Sequence, residues 1–249
     1  MLQTILNHRT IRKYKTTPIT ENILEQILTA ASRASTTGNM QVYSIVVTTN
    51  IDLKKQLWEA HFKQDMVLQA PVILTFCADF NRFNKWCELR NAVPAYDNFL
   101  SFYTASIDAL LASQNAALAA EEHGLGICYL GTTTYMSQKI IEILHLPKYV
   151  VPVTTLVVGY PDHEPPLTDR LPLNGIVHHE IYNDFTNDEI EAIYAEKEAL
   201  PETVELLKVN QKETLAQIFT DKRYTKNDNV LFSKLYLQTI EQQGFMNNE

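Results

Sequence analysis

The chain has 249 residues, 45% of them hydrophobic and 20% charged, a composition that supports a hydrophobic core and argues against disordered, fibrous and disulfide-stapled classes. Against 29 acidic side chains stand 21 basic ones, a formal charge of −8, so a nucleic-acid backbone or an anionic membrane surface is not an expected partner. Any anion this chain binds must be met by cations gathered locally.

Met1 to Pro18 lacks the apolar run of a signal peptide, and no stretch approaches the ~18–20 uninterrupted apolar residues of a membrane span. Cys77, Cys87 and Cys128 form no CxxC, which suits a reducing compartment, so a cytoplasmic protein is expected. From Thr20, a good N-cap, Ile23, Leu24, Ile27, Ala30 and Ala31 recur at helical spacing up to a break at Gly38. The loop Ser35 to Asn39 feeds a β-branched run, Val42 to Thr49. A short helix over Leu53 to His61, a polar turn from Phe62 to Asp65 and a strand over Val72 to Ala78 follow.

Phe99 to His123 is Ala-rich with few charges and repeats Ile107, Leu110, Leu111, Ala117 and Leu118, which predicts a central helix buried around most of its circumference. Gly124 ends it, Ile127 to Leu130 reads as a brief strand, Ser137 to Leu144 as a helix and Val151 to Gly159 as the third strong strand. Beyond Pro165-Pro166 no apolar β run returns. Asn187 to Leu207 and Leu231 to Gln243 read as polar amphipathic helix that must wrap the body or a second subunit. The expectation is one α+β domain over 1–249, with 165–249 as a C-terminal extension.

The common catalytic motifs GxGxxG, GxxxxGK[ST], HExxH and GxSxG are absent. Of the histidines only His178 and His179 are adjacent, and neighbours on a strand or loop point apart, so no metal site is expected from them. Cys77 and Cys128, inside predicted strands, read as small core residues. What stands out in an acidic chain is His8-Arg9-Thr10-Ile11-Arg12-Lys13, with the donors to hold a phosphate. Taken singly, that cluster is a solvated basic helix, Thr36 and Thr37 cap a turn, and Arg170 belongs to a surface ion pair. Together they suggest one anion site.

In combination the segments HRTIRKY (His8 to Tyr14), the Ser/Thr-rich loop ending in Gln41, Gln64 in HFKQDMV, FCADFNR (Phe76 to Arg82), SQNAALAAEEHGLG (Ser113 to Gly126), YLGT (Tyr129 to Thr132) and DRLPL (Asp169 to Leu173) resemble, in order over nearly the whole chain, the FMN-dependent nitroreductase family. Its larger, NADPH-oxidising flavin-reductase branch is most similar. The resemblance implies a central, mostly antiparallel sheet flanked by helices and a domain-exchanging homodimer with FMN at the interface. His8, Arg9 and Thr10 would lie near the ribityl phosphate, Arg12 at the pyrimidine edge, and Arg170 would complete the phosphate clamp. Thr36 and Thr37 would meet the ring from the other subunit, Gln64 would bond its polar edge, and Tyr129, Leu130, Gly131 and Thr132 would bring backbone against it. Gly131 is the position expected to tolerate a Cβ least.

Three departures accompany the likeness, one being that the C-terminal arginines which grip the extra phosphate of NADPH in the larger branch find no clear counterpart among Lys222, Arg223, Lys226 and Asn229, so donor preference is open. The family usually has Lys-Pro-Arg where this chain has Thr168-Asp169-Arg170, so a phosphate-binding cation is missing and an acid lies beside the clamp. The tetrapeptide usually ends in Gly-Gly, where Thr132 stands here. The activity implied is ping-pong hydride transfer from NADPH or NADH to small-molecule acceptors such as nitroaromatics, quinones or flavins, with no catalytic side chain and no metal. A non-catalytic flavin-binding redox sensor and a flavin-fragmenting or dehalogenating relative are the alternatives.

Overall fold

In the computed structural model, which describes residues 2–247, a short helix α1 (Leu2–Leu6) precedes an extended segment and then α2 (Glu21–Ser32), capped by the Thr20 hydroxyl as its sequence predicts. There follow β1 (Tyr43–Thr48), α3 (Ile51–Ala60), α4 (Met66–Gln69), β2 (Val72–Asp79), α5 (Asn81–Leu89), α6 (Phe99–Glu122), β3 (Gly126–Tyr129), α7 (Thr132–Tyr135), α8 (Ser137–Leu144) and β4 (Val150–Gly159). The strands form one antiparallel sheet in the order β1-β2-β4-β3. By contacts the chain divides into two compact units, one of the residues up to Pro166 together with those from Phe232, the other Leu167 to Leu231.

The first unit is a three-layer sandwich. Leu74, Phe76, Leu156 and Val158 point to one face, against Ile27 and Ala31 of α2 and Ala109, Ala112 and Ala116 of α6. Ile73 and Val157 point to the other, against Leu57 of α3, Val67 of α4 and Ile140 and Ile143 of α8. This is the period-2 alternation of strands, and it leaves every residue of β2 buried because both faces are covered. Each large aliphatic side chain so buried stabilises by about 1.5–3 kcal/mol before entropy is counted.

Helix α6 departs from the sequence expectation. Its small residues, including Ala105, Ala109, Ala112 and Ala116, face the sheet, while Leu100 (71% exposed), Tyr103 (55%), Ile107 (39%), Leu110 (47%) and Leu111 (44%) face outward. Alanine permits close approach to the sheet, so the small residues take the inner face. Periodicity locates the apolar stripe without saying which molecule covers it.

In the second unit the single amphipathic stretch expected over Asn187 to Leu207 is two helices, α9 (Asn187–Ala199) and α10 (Pro201–Asn210). Pro201 cannot donate to the preceding turn and forces Leu200 out of the helical region, so α9 ends there and α10 starts on the proline. Thr186 and Glu189 form a reciprocal capping box at the head of α9. Ile193 packs over Gly175, where a Cβ would come within 2.9 Å of it. A short α11 (Leu215–Ile218) follows, with Leu215 and Ile218 buried. The last helix, α12 (Lys226–Gln242), ends in the first unit, where the Phe232 ring stacks on Tyr135 with centroids 4.3 Å apart.

Candidate functional site

The extended segment after α1 is laid against the sheet. Thr10 bridges Ile127 in parallel, Ile11 N–H donates to the Ile127 carbonyl (2.9 Å) and Lys15 N–H to that of Tyr160 (2.9 Å). The seating depends on Gly126, where a Cβ would lie 2.5 Å from Ile11. The basic cluster is thereby fixed beside β3. Arg12 is exposed and makes no ion pair among the described residues. Its charge is felt at Cys128 on β3, where burial pushes the thiol up and the guanidinium opposes it.

His8 and Arg9 have acidic partners in the same unit. His8 Nδ1 lies 2.6 Å from Glu121, and Arg9 meets Glu164 at 3.4 Å in a 690 Å³ groove also lined by Lys15 and Asp162. Tyr129 donates to Ser113 Oγ (3.2 Å), and buried Leu130 pairs through its N–H with the Thr155 carbonyl (2.9 Å).

Gly131, expected to lie against the ring, has no protein atom crowding it. Its φ is −61°, and a Cβ there would meet nothing within 4 Å. Within the chain the position is unconfined, because the backbone borders open space. Next to it Thr132 Oγ1 lies 2.8 Å from His61 Nδ1 and accepts from Gln64 Nε2 at 3.3 Å. Gln64 and Thr132, 68 residues apart and singled out separately, thus meet.

His61 opens the HFKQDMV segment but was not singled out in the sequence. It is fully buried at the end of α3, and desolvation lowers its pKa to about 4. It is a neutral imidazole at physiological pH. The turn that follows places Phe62 and Lys63 in the left-handed region (φ 55° and 56°), which returns the chain so that Gln64 Nε2 reaches the His61 carbonyl at 2.9 Å. Two adjacent non-glycine residues there store strain, a feature that clusters at functional sites.

Thr36 and Thr37 occupy a loop in which Gly38, Asn39 and Gln41 all have positive φ. Its anchor is Asp108, fully buried in mid-α6, whose carboxylate accepts from Thr37 N–H (2.9 Å) and Val42 N–H (3.3 Å). The Thr36 hydroxyl is buried and without a partner among the described residues. Asp108 also lay outside the sequence motifs; the available signal was a single acid in the Ala-rich body of a helix whose other acids, Glu121 and Glu122, stand at its C-terminal end. Arg170 belongs to the second unit, where its guanidinium donates to the Thr168 hydroxyl (2.7 Å) and the Asp169 carbonyl (2.8 Å).

The sequence profile of the Nitroreductase family matches residues 5–160. The chain belongs to the nitroreductase family. The "FMN reductase [NAD(P)H]" of Bacillus subtilis (strain 168) is 32% identical over 252 residues, covering 98% of this chain and 97% of its own. A crystal structure from Bacteroides fragilis NCTC 9343 superposes with a TM-score of 0.97 at 54% identity, covering 98% of this chain and all of that one. The NADPH:FMN oxidoreductase from Vibrio harveyi, complexed with NAD+, superposes with a TM-score of 0.83 at 28% identity and covers 99% of both chains.

Two departures of this nitroreductase from its family's pattern have structural answers. The acid beside Arg170 is paired with Lys197 of α9, whose Nζ lies 2.5 Å from Asp169, and among the described residues Arg170 itself meets no carboxylate. Thr132, in place of a glycine, joins Gln64 to His61. Among the described residues no cluster of three or more His, Cys, Asp or Glu could hold a metal, and no helix is long and apolar enough to cross a membrane.

Proposed function

We propose that this chain is an FMN-dependent NAD(P)H oxidoreductase that reduces nitroaromatics, quinones or flavins. The observation that carries it is the bare backbone at Gly131, bordering open space and flanked by the bonded pair Gln64 and Thr132. The residues fit a flat, hydrogen-bonding ring: backbone without a side chain for close approach, an amide beside it, the unspent Thr36 hydroxyl, and Arg12 with its charge free. The relatives support the reading, since the Bacillus subtilis protein is an FMN reductase and the Vibrio harveyi one an NADPH:FMN oxidoreductase.

When bound, FMN supplies hydride transfer between a reduced nicotinamide and an electron-poor acceptor in two separate half-reactions. Everything else falls to the chain. Arg12 would place a positive charge at the ring's pyrimidine edge, where it favours the reduced, more negative form. Gln64 would orient that edge, and Gly131 would keep one flank clear. His8, Arg9, Thr10 and Arg170 would bind the phosphate, while Tyr129, Leu130 and Thr132 line the ring's approach. No side chain need accept or deliver a proton.

A homodimer completes the proposal. The exposed apolar stripe of α6 is the kind of surface that a second copy covers, and the extension within 165–249 would reach over that partner. Thr36 and Thr37 would then serve the partner's ring. The three buried thiols suit a cytoplasmic setting.

The direct test is to load the purified protein with FMN and mix it anaerobically with NADPH or NADH in a stopped-flow spectrometer. Bleaching of the oxidised-flavin band followed by recovery with a quinone is expected. Failure to take up FMN would overturn the reading, and a yellow protein that neither donor bleaches would be a binder without turnover. Arg170→Ala is expected to weaken FMN at least tenfold while leaving riboflavin, which lacks the phosphate, within about twofold. Equal losses for both ligands would remove Arg170 from the phosphate site. Gly131→Ala is expected to shift stability by no more than about 0.5 kcal/mol, because its Cβ enters open space, yet to weaken FMN severalfold. Unchanged FMN affinity would place the ring elsewhere.

A further inference from the structure

We infer that Thr132 is a positioning residue whose hydroxyl, shared between His61 and Gln64, holds the Gln64 amide, already oriented by the His61 carbonyl, in the attitude it offers to the bound ring. This rests on the flavin reading above and goes beyond it by giving Thr132 a role in holding Gln64.

The argument is a count of hydrogens. Both hydrogens of Gln64 Nε2 are committed, one to the His61 carbonyl (2.9 Å) and one to Thr132 Oγ1 (3.3 Å). A carbonyl accepts only, so the amide nitrogen must face it and the amide cannot be turned over. The Gln64 Oε1 atom is left uncommitted among the described residues. An uncommitted oxygen accepts, so the side chain reads an N–H donor rather than a carbonyl. Oxidised flavin has one such donor on its polar edge, at N3.

Thr132 closes the count. Its oxygen accepts from Gln64, and its single hydrogen has one acceptor within reach among the described residues, His61 Nδ1 at 2.8 Å. With the hydroxyl donating in this way, the imidazole's own hydrogen is on Nε2, which is buried and has no partner among the described residues. His61 is fully buried, and desolvation favours its neutral form, as accepting at Nδ1 requires. The turn carrying His61 and Gln64 is braced by Phe62, whose ring lies 6.5 Å from Tyr135 and 6.2 Å from Phe232. A glycine at 132 would leave Gln64 with one fixed hydrogen and His61 with none, and the amide would swing about the bond that remained.

The experiment compares FMN with 3-methyl-FMN, which lacks the N3 hydrogen, on the purified protein by fluorescence quenching. The unmodified protein should bind 3-methyl-FMN at least tenfold more weakly than FMN. In Thr132→Val, which keeps the volume and loses the hydroxyl, that preference should fall to about twofold, and Thr132→Ser should restore it. Nitrogen-15 NMR of His61 in the flavin-free protein should show the Nε2–H tautomer in the parent and Thr132→Ser, and a mixture in Thr132→Val. A methyl penalty of equal size in Thr132→Val would mean simple steric exclusion and overturn the inference, as would equal affinity for both flavins in the parent. If neither flavin binds, the flavin reading fails. In that event the tautomer measurement still decides whether Thr132 organises this network.

Discussion

Asp108→Ala is expected to destabilise the protein by about 3 kcal/mol and to lower FMN affinity by at least an order of magnitude, although its carboxylate belongs to the middle of a long helix. Asp108 is fully buried and holds both ends of the loop through Thr37 N–H and Val42 N–H. Removing it leaves the buried Val42 N–H without a partner, and an unmet buried donor costs about 1–3 kcal/mol, more when the lost acceptor is charged. Thr37 is exposed, so water meets its N–H at lower cost. The larger effect falls on conformation, because three positive φ values between 38 and 41 need an external anchor. The variant should melt earlier, be cut by protease between residues 36 and 41, and bind FMN weakly. A melting temperature and FMN affinity equal to the parent's would reduce the carboxylate to an incidental acceptor. Asp108→Asn separates the two roles: it retains one acceptor, so it should recover part of the stability while its amide hydrogens repel one of the two donors.

The framework of this fold is written in local pattern. Ser137 to Leu144 begins and ends where its periodicity says, and the strand read at Val72 to Ala78 runs one residue further, to Asp79. Thr20 caps α2 as its chemistry predicts. Helix α5 was not anticipated, because Phe83, Trp86 and Cys87 give no strong stripe among polar neighbours; tertiary contacts with Tyr96 and Phe80 supply what periodicity lacks. The facing of α6 was misread for a different reason. Its stripe of Ile107, Leu110 and Leu111 obeys helical spacing, yet spacing is blind to whether sheet, solvent or a second molecule lies opposite.

The site divides the same way. Gln64, Gly131 and Thr132 were singled out because they sit in ordered segments resembling a family, but that likeness says nothing of bonds among them. The link between Gln64 and Thr132 is made by chain folding, through a left-handed turn at Phe62 and Lys63 that no glycine announces. His61 was invisible for a physical reason: a histidine ending a helix before a polar turn is ordinarily solvated, and only the packing of α3 and α4 against the sheet buries it. Gly131 was legible as a glycine in a motif, but which side of its backbone is open was not. Glycine is commonly conserved where a Cβ would strike protein, whereas here the freedom is on the open side.

The burial of His61 carries the second large prediction, an acid lability centred well above the carboxylate range. Desolvation holds its pKa near 4 in the folded protein, against an ordinary value near 6.5 in the unfolded chain. Between those values the unfolded chain binds a proton that the folded protein refuses, so stability falls as pH drops, by about 1.4 kcal/mol per unit. The contribution is absent above pH 7 and complete below pH 4. Between pH 7 and pH 5 the loss should be about 2 kcal/mol, measured by urea unfolding at fixed protein concentration. His61→Gln, which cannot titrate, should start less stable at pH 7, because it disturbs the bond to Thr132. It should also lose about 2 kcal/mol less than the parent over the same interval, so the two stability curves converge toward acid. Parallel curves would mean that the imidazole takes up its proton in the folded protein as readily as in the unfolded chain, which a fully buried side chain bonded at Nδ1 and enclosed by apolar packing does not allow.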